Sequence, residues 1–499
     1  MKFLIPLLLL ASVAAPAAVF DVKQYGAKGD GVTLDTPAIQ KAIDAANAAG
    51  GGTVSFPAGR YVSGSIHLVS HLTLLLDSGA VLEASPDPAA YDAGEPNPFS
   101  QYQDGGHSHF HNSLIWGENL ENIAIAGFGL IDGSKGLTRG DSPRGGNKAI
   151  ALKLCRNVVI RDVSFLMAGH FAILATGVDN LTIDNLKIDT NRDGINIDSC
   201  RNVRISNCSV NAPWDDAIVI KSTYALGFAR AVENLTITNC EVSGFDKGTF
   251  LTGKYERNDP QAPDHRGVTG RIKLGTESNG GFRNITISNC VFVRSRGLAL
   301  ETVDGGPLED VTISNLSMRD IVSSPIFIRL GARLRAPEGT PVGTLKRVSI
   351  SNVNVWNAEP RYGAIITGIP GHPIEGLTLN NIKIHYQGGG TKEQAALDPP
   401  ELEKGYPDPD LFGITPAYGM FIRHVKGLEM NGVEVTCQKE EGRPAFQLDD
   451  VEGADLIAVN ARHAADVPAF TLKNVTDFLL RLSRTAPDTR VESAKAKSF

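Results

Sequence analysis

From about residue 120 onward, a short phrase of alternating apolar and polar residues keeps returning. It reads NIAIAG at 122, NVVIRD at 157, NLTIDN at 180, NVRISN at 202, NLTITN at 234, NITISN at 284, DVTISN at 310, RVSISN at 347 and GLTLNN at 376, with a weaker GLEMNG at 427. The spacings are 35, 23, 22, 32, 50, 26, 37, 29 and 51 residues. The values of 22–26 mark the bare unit, and the longer ones mark the same unit carrying an inserted loop. Alternation with period two predicts a strand with one face turned inward. Most phrases end in Asn or Asp, and Asn tolerates left-handed backbone and bonds locally, which suits a sharp turn. A single strand–turn unit cannot bury its inner face, but stacked units can. The pattern therefore predicts an all-β chain wound as a parallel β-helix, with Ile, Leu, Val and Cys stacked in its core.

The N-terminal part follows another period. DTPAIQKAIDAANAAGG (35–51) places apolar residues at helical spacing between an Asp35/Thr36 start and a Gly50-Gly51 stop. Strands resume in GGTVSFPAGRYVSG. A helix here would cap the open end of a solenoid, whose terminal repeats need shielding. The first residues, MKFLIPLLLLASVAAPAA, combine Lys2, a short apolar run and an Ala15-Pro16-Ala17 cleavage pattern. They predict an export leader over 1–17, too short for a membrane span. The remainder, 18–499, reads as one domain: cap and first rungs over 18–85, and a loose polar tail after about 486.

Composition narrows the partners. A net charge of −7 argues against a non-specific nucleic-acid or membrane-surface binder. After leader removal the expectation is a soluble monomer in the periplasm or outside the cell. Six cysteines fall largely at one place in the repeat, which favours buried thiols, Cys200 and Cys208 being the candidate disulfide. Five of the six N-x-S/T asparagines (180, 207, 234, 284 and 315, but not 474) lie inside the repeated phrase, so turn chemistry accounts for them better than glycosylation does.

Four aspartates crowd the stretch NRDGINIDSCRNVRISNCSVNAPWDDAIVIKS (191–222). Asp193 and Asp215 are 22 residues apart, one bare repeat, so they should lie above each other about 4.8 Å apart. Adjacent residues on a regular strand point opposite ways. Asp215 and Asp216 can therefore share that patch only if the backbone bends, which Asn211-Ala212-Pro213 permits. Clustered carboxylates have coupled, spread pKa values, so one can stay protonated as an acid while others act as base, as glycoside hydrolysis requires. A solvated turn or a calcium site is the alternative reading of the same cluster.

The opening FDVKQYGAKGDGVTLDTPAIQKAIDAA…GGGTVSFPAGRY resembles pectin-lyase-like β-helix proteins, and NRDGINIDSC followed by DDAIVIKS resembles the acidic motifs of glycoside hydrolase family 28. The resemblance implies a single-stranded right-handed parallel β-helix and an inverting, single-displacement glycosidase of the polygalacturonase or rhamnogalacturonan-hydrolase type, without cofactor or metal. Carried over, Asp215 is the general acid, while Asp193 and Asp216 position and deprotonate water. Asp198 reads as a supporting hydrogen-bond partner.

Two family motifs depart. Phe245 stands where the His of G-H-G would fall. A literal R-I-K, Arg271–Lys273, lies one rung before the family's place, where Glu301 replaces the Lys. The usual carboxylate clamp thus reads as absent, which implies a neutral sugar such as rhamnose in the leaving subsite. Glu301 could instead bind sugar hydroxyls or act as a fourth acid. His170, Arg192, Lys221, Arg271 and Lys273 are further candidates for substrate contact; Lys247, Arg257, His265, Arg266 and Arg329 supply other local positive charge. His107, His109 and His111 would share one face if extended, as metal ligands or as part of a sugar-contacting loop with Trp116. Insertions at 241–283 and 385–420 could close one end of the cleft and favour action on chain ends. The expected partner is a pectic polysaccharide or oligosaccharide. Rival readings are a calcium-dependent lyase with Arg192 or Lys221 as base, and a non-catalytic glycan-binding β-helix.

Overall fold

The computed structural model describes residues 18–140, 147–258 and 267–499. Residues 1–17, where an export leader is expected, and the candidates His265 and Arg266 lie outside the described residues. The chain is a right-handed parallel β-helix. A typical rung runs Phe171–Thr176, Asp179–Asp184 and Lys187–Asp189, and the next runs Asp193–Asp198, Arg201–Ser206 and Ser209–Asn211. Each rung thus contributes one strand to each of three faces. The first face carries the candidate site.

Register follows the repeated phrase. Leu181, Val203, Leu235, Ile285, Val311, Val348, Leu377 and Leu428 are successive partners, all buried in one core. Full burial of such a side chain is worth roughly 1.5–3 kcal/mol. The turns use the asparagines as expected: Asn180, Asn202 and Asn234 have φ of 55°, 56° and 58°. Their amides also form a ladder, Asn180 donating to Asn157, Asn202 to Asn180, Asn234 to Asn202 and Asn284 to Asn234.

The helix spans Thr36–Ala48 and buries Ile39, Ala42, Ile43 and Ala46 over the open end of the coil. Asp35 precedes it without capping it through its side chain. Its carboxylate instead accepts hydrogen bonds from Lys28 and Gly29 amides, pinning the preceding loop. At the far end the tail is not loose. Thr489–Ser498 is a strand antiparallel to Phe470–Arg481, and Phe499 stacks on Phe470. This strand covers the last rung's edge, which would otherwise offer unpaired backbone groups.

All six cysteines are free and buried. Cys200 and Cys208 do not pair, because they flank the two ends of the Arg201–Ser206 strand. Eight residues of extended chain separate them by roughly 26 Å, far beyond disulfide reach. No helix among the described residues is long and apolar enough to cross a membrane.

Candidate active site

Asp193 opens the Asp193–Asp198 strand, and Asp215 and Asp216 lie in the turn before Ile218–Ser222. Ile195 pairs with Ile218, so Asp193 faces Asp216 across neighbouring rungs, and the Gly194 amide donates to the Asp216 carbonyl at 3.1 Å. Gly194 is required there: a Cβ would sit 2.5 Å from the Ala217 carbonyl oxygen. The bend expected after Pro213 exists, and the next rung clips it through the Thr269 and Gly270 amides, which donate to the Pro213, Ala212 and Asp215 carbonyls. Carboxylate oxygens of all three aspartates lie within 4.8 Å of one another.

Their environments differ. Asp193 is buried and accepts from Asn196 Nδ2 at 2.8 Å. Burial first, then the charge of Asp215, pushes its pKa well above the usual carboxylate range, against the pull of Lys221 and Arg192. Asp216 is buried against Arg271 Nε at 2.6 Å and Lys273 Nζ at 3.4 Å. Asp215 is the most open of the three, its side chain 16% exposed, and Arg192 Nε meets it at 3.0 Å. Such a set can share a proton among coupled acids.

Four cationic candidates, Arg192, Lys221, Arg271 and Lys273, come to this site, each tied to a carboxylate. Arg192 bridges Asp215 and Asp104 (3.2 Å) and lies over the Phe171 ring. His170 is buried beneath that guanidinium, its Nδ1 2.6 Å from the Arg139 carbonyl, and burial and Arg192 together hold the imidazole neutral. Lys221 meets Glu277 at 3.0 Å; despite burial, Glu277 and Asp193 hold its ammonium charged. Arg271 and Lys273 lie on the rung directly after the aspartates, since Ile218 pairs with Ile272. Glu301 lies one rung further, in the strand that pairs Ile272–Leu274 with Leu298–Leu300. It is fully buried, accepts from Thr276 Oγ1 at 3.0 Å and lies 3.6 Å from Lys273; burial raises its pKa. Positive charge is therefore present near the expected clamp, supplied from one rung earlier and shared with Asp216 and Glu301.

Asp198 accepts hydrogen bonds from Thr176, Ser199 and Thr223, as a supporting residue would. The three histidines do not share a face, because Gly105–His107 is a 3-10 turn. His107 is buried 3.4 Å from Asp198, while His111 stacks on Trp116 at 4.0 Å. Lys247 lies 3.4 Å from the Trp214 ring centre beside Asp215. Arg257 pairs with Asp320 near the surface, and Arg329 is buried, bonded to Thr367 and to the Glu401 carbonyl.

Two loops carry site residues that no motif or period marked. Asp104, on 85–114, reaches Arg192; despite burial, the Arg192 guanidinium holds its carboxyl well below the usual range. Tyr406, on 387–419, places its hydroxyl 3.3 Å from Lys273 Nζ and 3.1 Å from Thr276. Asp408 on the same loop pairs with Arg296 at 2.7 Å. Glu277 was also missed, a buried carboxylate charged through Lys221, Arg333 and Arg335. Loop residues have no period to reveal them, so only the folded chain brings them to the site. A cavity of about 1020 Å³ lies along the 85–114 loop, lined by Tyr91, Glu95, His109 and Asn112 among others, and none of the three aspartates lines it.

The aspartate triplet has the ligand spacing of a metal site. Arg192, Arg271 and Lys273 already balance its charge, however, and would repel a divalent ion. Proton sharing suits this donor set better than metal binding.

Known proteins resemble this chain in sequence and in fold. The family described as "Rhamnogalacturonase A/epimerase, pectate lyase-like" matches residues 19–170, and "Glycosyl hydrolases family 28" matches residues 99–260. A "Probable polygalacturonase" from Vitis vinifera is 26% identical over 402 residues, covering 75% of this chain and 76% of that one. An "Exo-poly-alpha-D-galacturonosidase" from Dickeya chrysanthemi is 26% identical over 355 residues, covering 64% and 58%. Among solved structures, the family 28 exopolygalacturonase of Yersinia enterocolitica superposes with a TM-score of 0.66 at 19% identity, over 88% of this chain and 78% of that one, which establishes the shared fold. With the coil, the paired acidic turns and these matches in hand, the chain is a glycosidase similar to glycoside hydrolase family 28 over residues 99–260.

Proposed function

We propose that the protein is exported and hydrolyses pectic polysaccharide from chain ends, at linkages between galacturonic acid and rhamnose. The observation that carries this is the aspartate triplet, with oxygens within 4.8 Å on consecutive turns, hemmed in by loops on both sides. Asp215, the most open member, gives its proton to the leaving glycosidic oxygen. Asp193 and Asp216 hold a water and take its proton as it attacks the anomeric carbon; the raised proton affinity of Asp193 suits acceptance. In the empty site that affinity favours a proton on Asp193, and one bridging water would relay it to Asp215.

End-directed action is supported by the loops. Asp104 brings 85–114 against Arg192 on one side, and Tyr406 and Asp408 bring 387–419 onto the strands that follow the aspartates. A groove so bounded favours a chain terminus over a chain interior. Named relatives that act as exopolygalacturonases support the same mode. Glu301 in the clamp position, with Lys273 drawn toward Asp216, supports a neutral sugar there. The apolar leader of 1–17 supports export. Inversion rests on the family resemblance, since the carboxylate oxygens are closer than the roughly 6.5–9.5 Å usual for inverting pairs.

The test is a product time course on rhamnogalacturonan and polygalacturonan, read by mass and by ultraviolet absorbance. Saturated mono- or disaccharides from the first minutes, from rhamnogalacturonan, are expected. Products absorbing in the ultraviolet would establish a lyase, and a ladder of long fragments would overturn end-directed action. Polygalacturonan as the better substrate would show that Lys273 and Arg271 still read a carboxylate.

A further inference from the structure

On the third face of the coil, the alternation that buries Val355, Ile384 and Val435 turns their neighbours outward. Arg319, Trp356, His385 and Thr436 stack in register on successive rungs, and Asn354, Lys383, Glu434 and Asn460 form the next column. Trp356 is 53% exposed, and its ring lies flat on His385, centroids 4.1 Å apart at 12°. Thr436 holds the imidazole through a hydrogen bond of 2.9 Å. Two cavities of about 370 and 730 Å³ adjoin along these columns, sharing Lys383, Glu434 and Thr436.

The charge of this groove is unusual for an acidic chain. Arg319, Lys383, Arg462 and Arg484 line it against one carboxylate, Glu434. Among the described residues, no carboxylate forms an ion pair with Arg319, Lys383 or Arg484. On the neighbouring face the equivalent cations are neutralised: Arg283, Lys346 and Arg347 all converge on Glu309. A flat exposed ring held by a stacked partner, flanked by unneutralised cations, fits the apolar face of a pyranose together with carboxylates along a chain. Four rung spacings separate Arg319 from Asn460, roughly 19 Å, so the contact would extend over several sugars.

We propose that this groove is a second, non-catalytic binding site for an acidic polysaccharide, with Trp356 as the stacking platform and Lys383 and Arg484 as carboxylate contacts. It would hold the polymer on the enzyme while chain ends are processed around the corner of the coil. The proposal rests on the pectic reading only for its choice of polymer.

The experiment is affinity electrophoresis of full-length Asp215→Asn protein in gels containing polygalacturonan, rhamnogalacturonan or a neutral galactan, at low and high salt. Adding Trp356→Ala should weaken retention by the acidic polymers about tenfold, while Trp356→Phe retains most of it. Lys383→Ala with Arg484→Ala should weaken it at low salt, and neutral galactan should retain none of the variants. In the active enzyme, Trp356→Ala should raise KM for polymer and leave kcat/KM on a short oligosaccharide unchanged. Thermal melting confirms that each variant folds. Unchanged retention of folded Trp356→Ala, or a change of oligomeric state by light scattering without a change in retention, would overturn the proposal. If pectic polymers are bound through Trp356 but not hydrolysed, the second site stands and the proposed substrate falls.

Discussion

Two corners of the same coil solve the same stacking problem with different chemistry. At one corner, Asn157, Asn180, Asn202, Asn234 and Asn284 repeat on successive rungs, and each amide donates to the one before. At the other, Asp193 stands over Asp216, with Asp215 beside them. An amide carries both donor and acceptor, so a column of amides satisfies itself. A column of carboxylates accepts only, and like charges one rung apart repel. The aspartate corner therefore draws in Arg192, Arg271 and Lys273, and still leaves Asp193 with a raised proton affinity. The amide column stiffens the coil, whereas the acid column stores a transferable proton at some cost in stability.

The largest expected effect comes from turning the second corner into the first. Asp193→Asn should lower kcat by roughly 10²–10⁴ through loss of a proton acceptor. The same change should raise Tm at pH 7. Because the folded pKa of Asp193 lies above its unfolded value near 3.8, ionisation penalises the fold as pH rises through that window. The gain in Tm should shrink as pH falls toward 4 and vanish below it. A variant no more stable than wild type at pH 7 would mean that Asp193 is not strained.

Arg271→Ala removes the cation bound to buried Asp216, leaving that charge to Lys273 alone. A destabilisation of about 3 kcal/mol is expected in urea unfolding, with activity reduced in the protein that remains folded. Tyr406→Phe deletes only the hydroxyl that meets Lys273 and Thr276. Its loop should loosen, shifting early products toward longer fragments with a change of a few-fold in rate; identical products would deny the loop its part in end-directed action. Asn202→Ala, at the first corner, breaks one rung of the amide ladder and puts Ala at φ near 56°. It should cost about 1–2 kcal/mol with no change in kcat.

How much was legible beforehand follows the same division. The repeat carries its own address: NLTIDN and NVRISN fall in register because their apolar positions do. The 22-residue interval alone brought Asp193 and the Asp215 turn together. The R-I-K triplet reads as one rung before the family's clamp position, and the structure shows that this is the rung directly after the aspartates, where Ile218 pairs with Ile272. What the interval could not reveal lies off the repeat. Asp104 and Tyr406 come from loops held by an ion pair and a hydrogen bond to residues far away in sequence. The three histidines misled because alternate spacing means one face only in a strand, and Gly105–His107 turns. The final strand escaped because its polar sequence pairs by backbone rather than by an inward apolar face.

The central claim is that this corner breaks glycosidic bonds by proton donation from Asp215. The most direct measurement is reducing-end release from rhamnogalacturonan by wild type and Asp215→Asn, side by side at equal folded concentration. The account predicts steady release by the wild type and a loss of at least about a hundredfold in the variant, since a missing general acid commonly costs 10²–10⁴. Release by Asp215→Asn at the wild-type rate would contradict it.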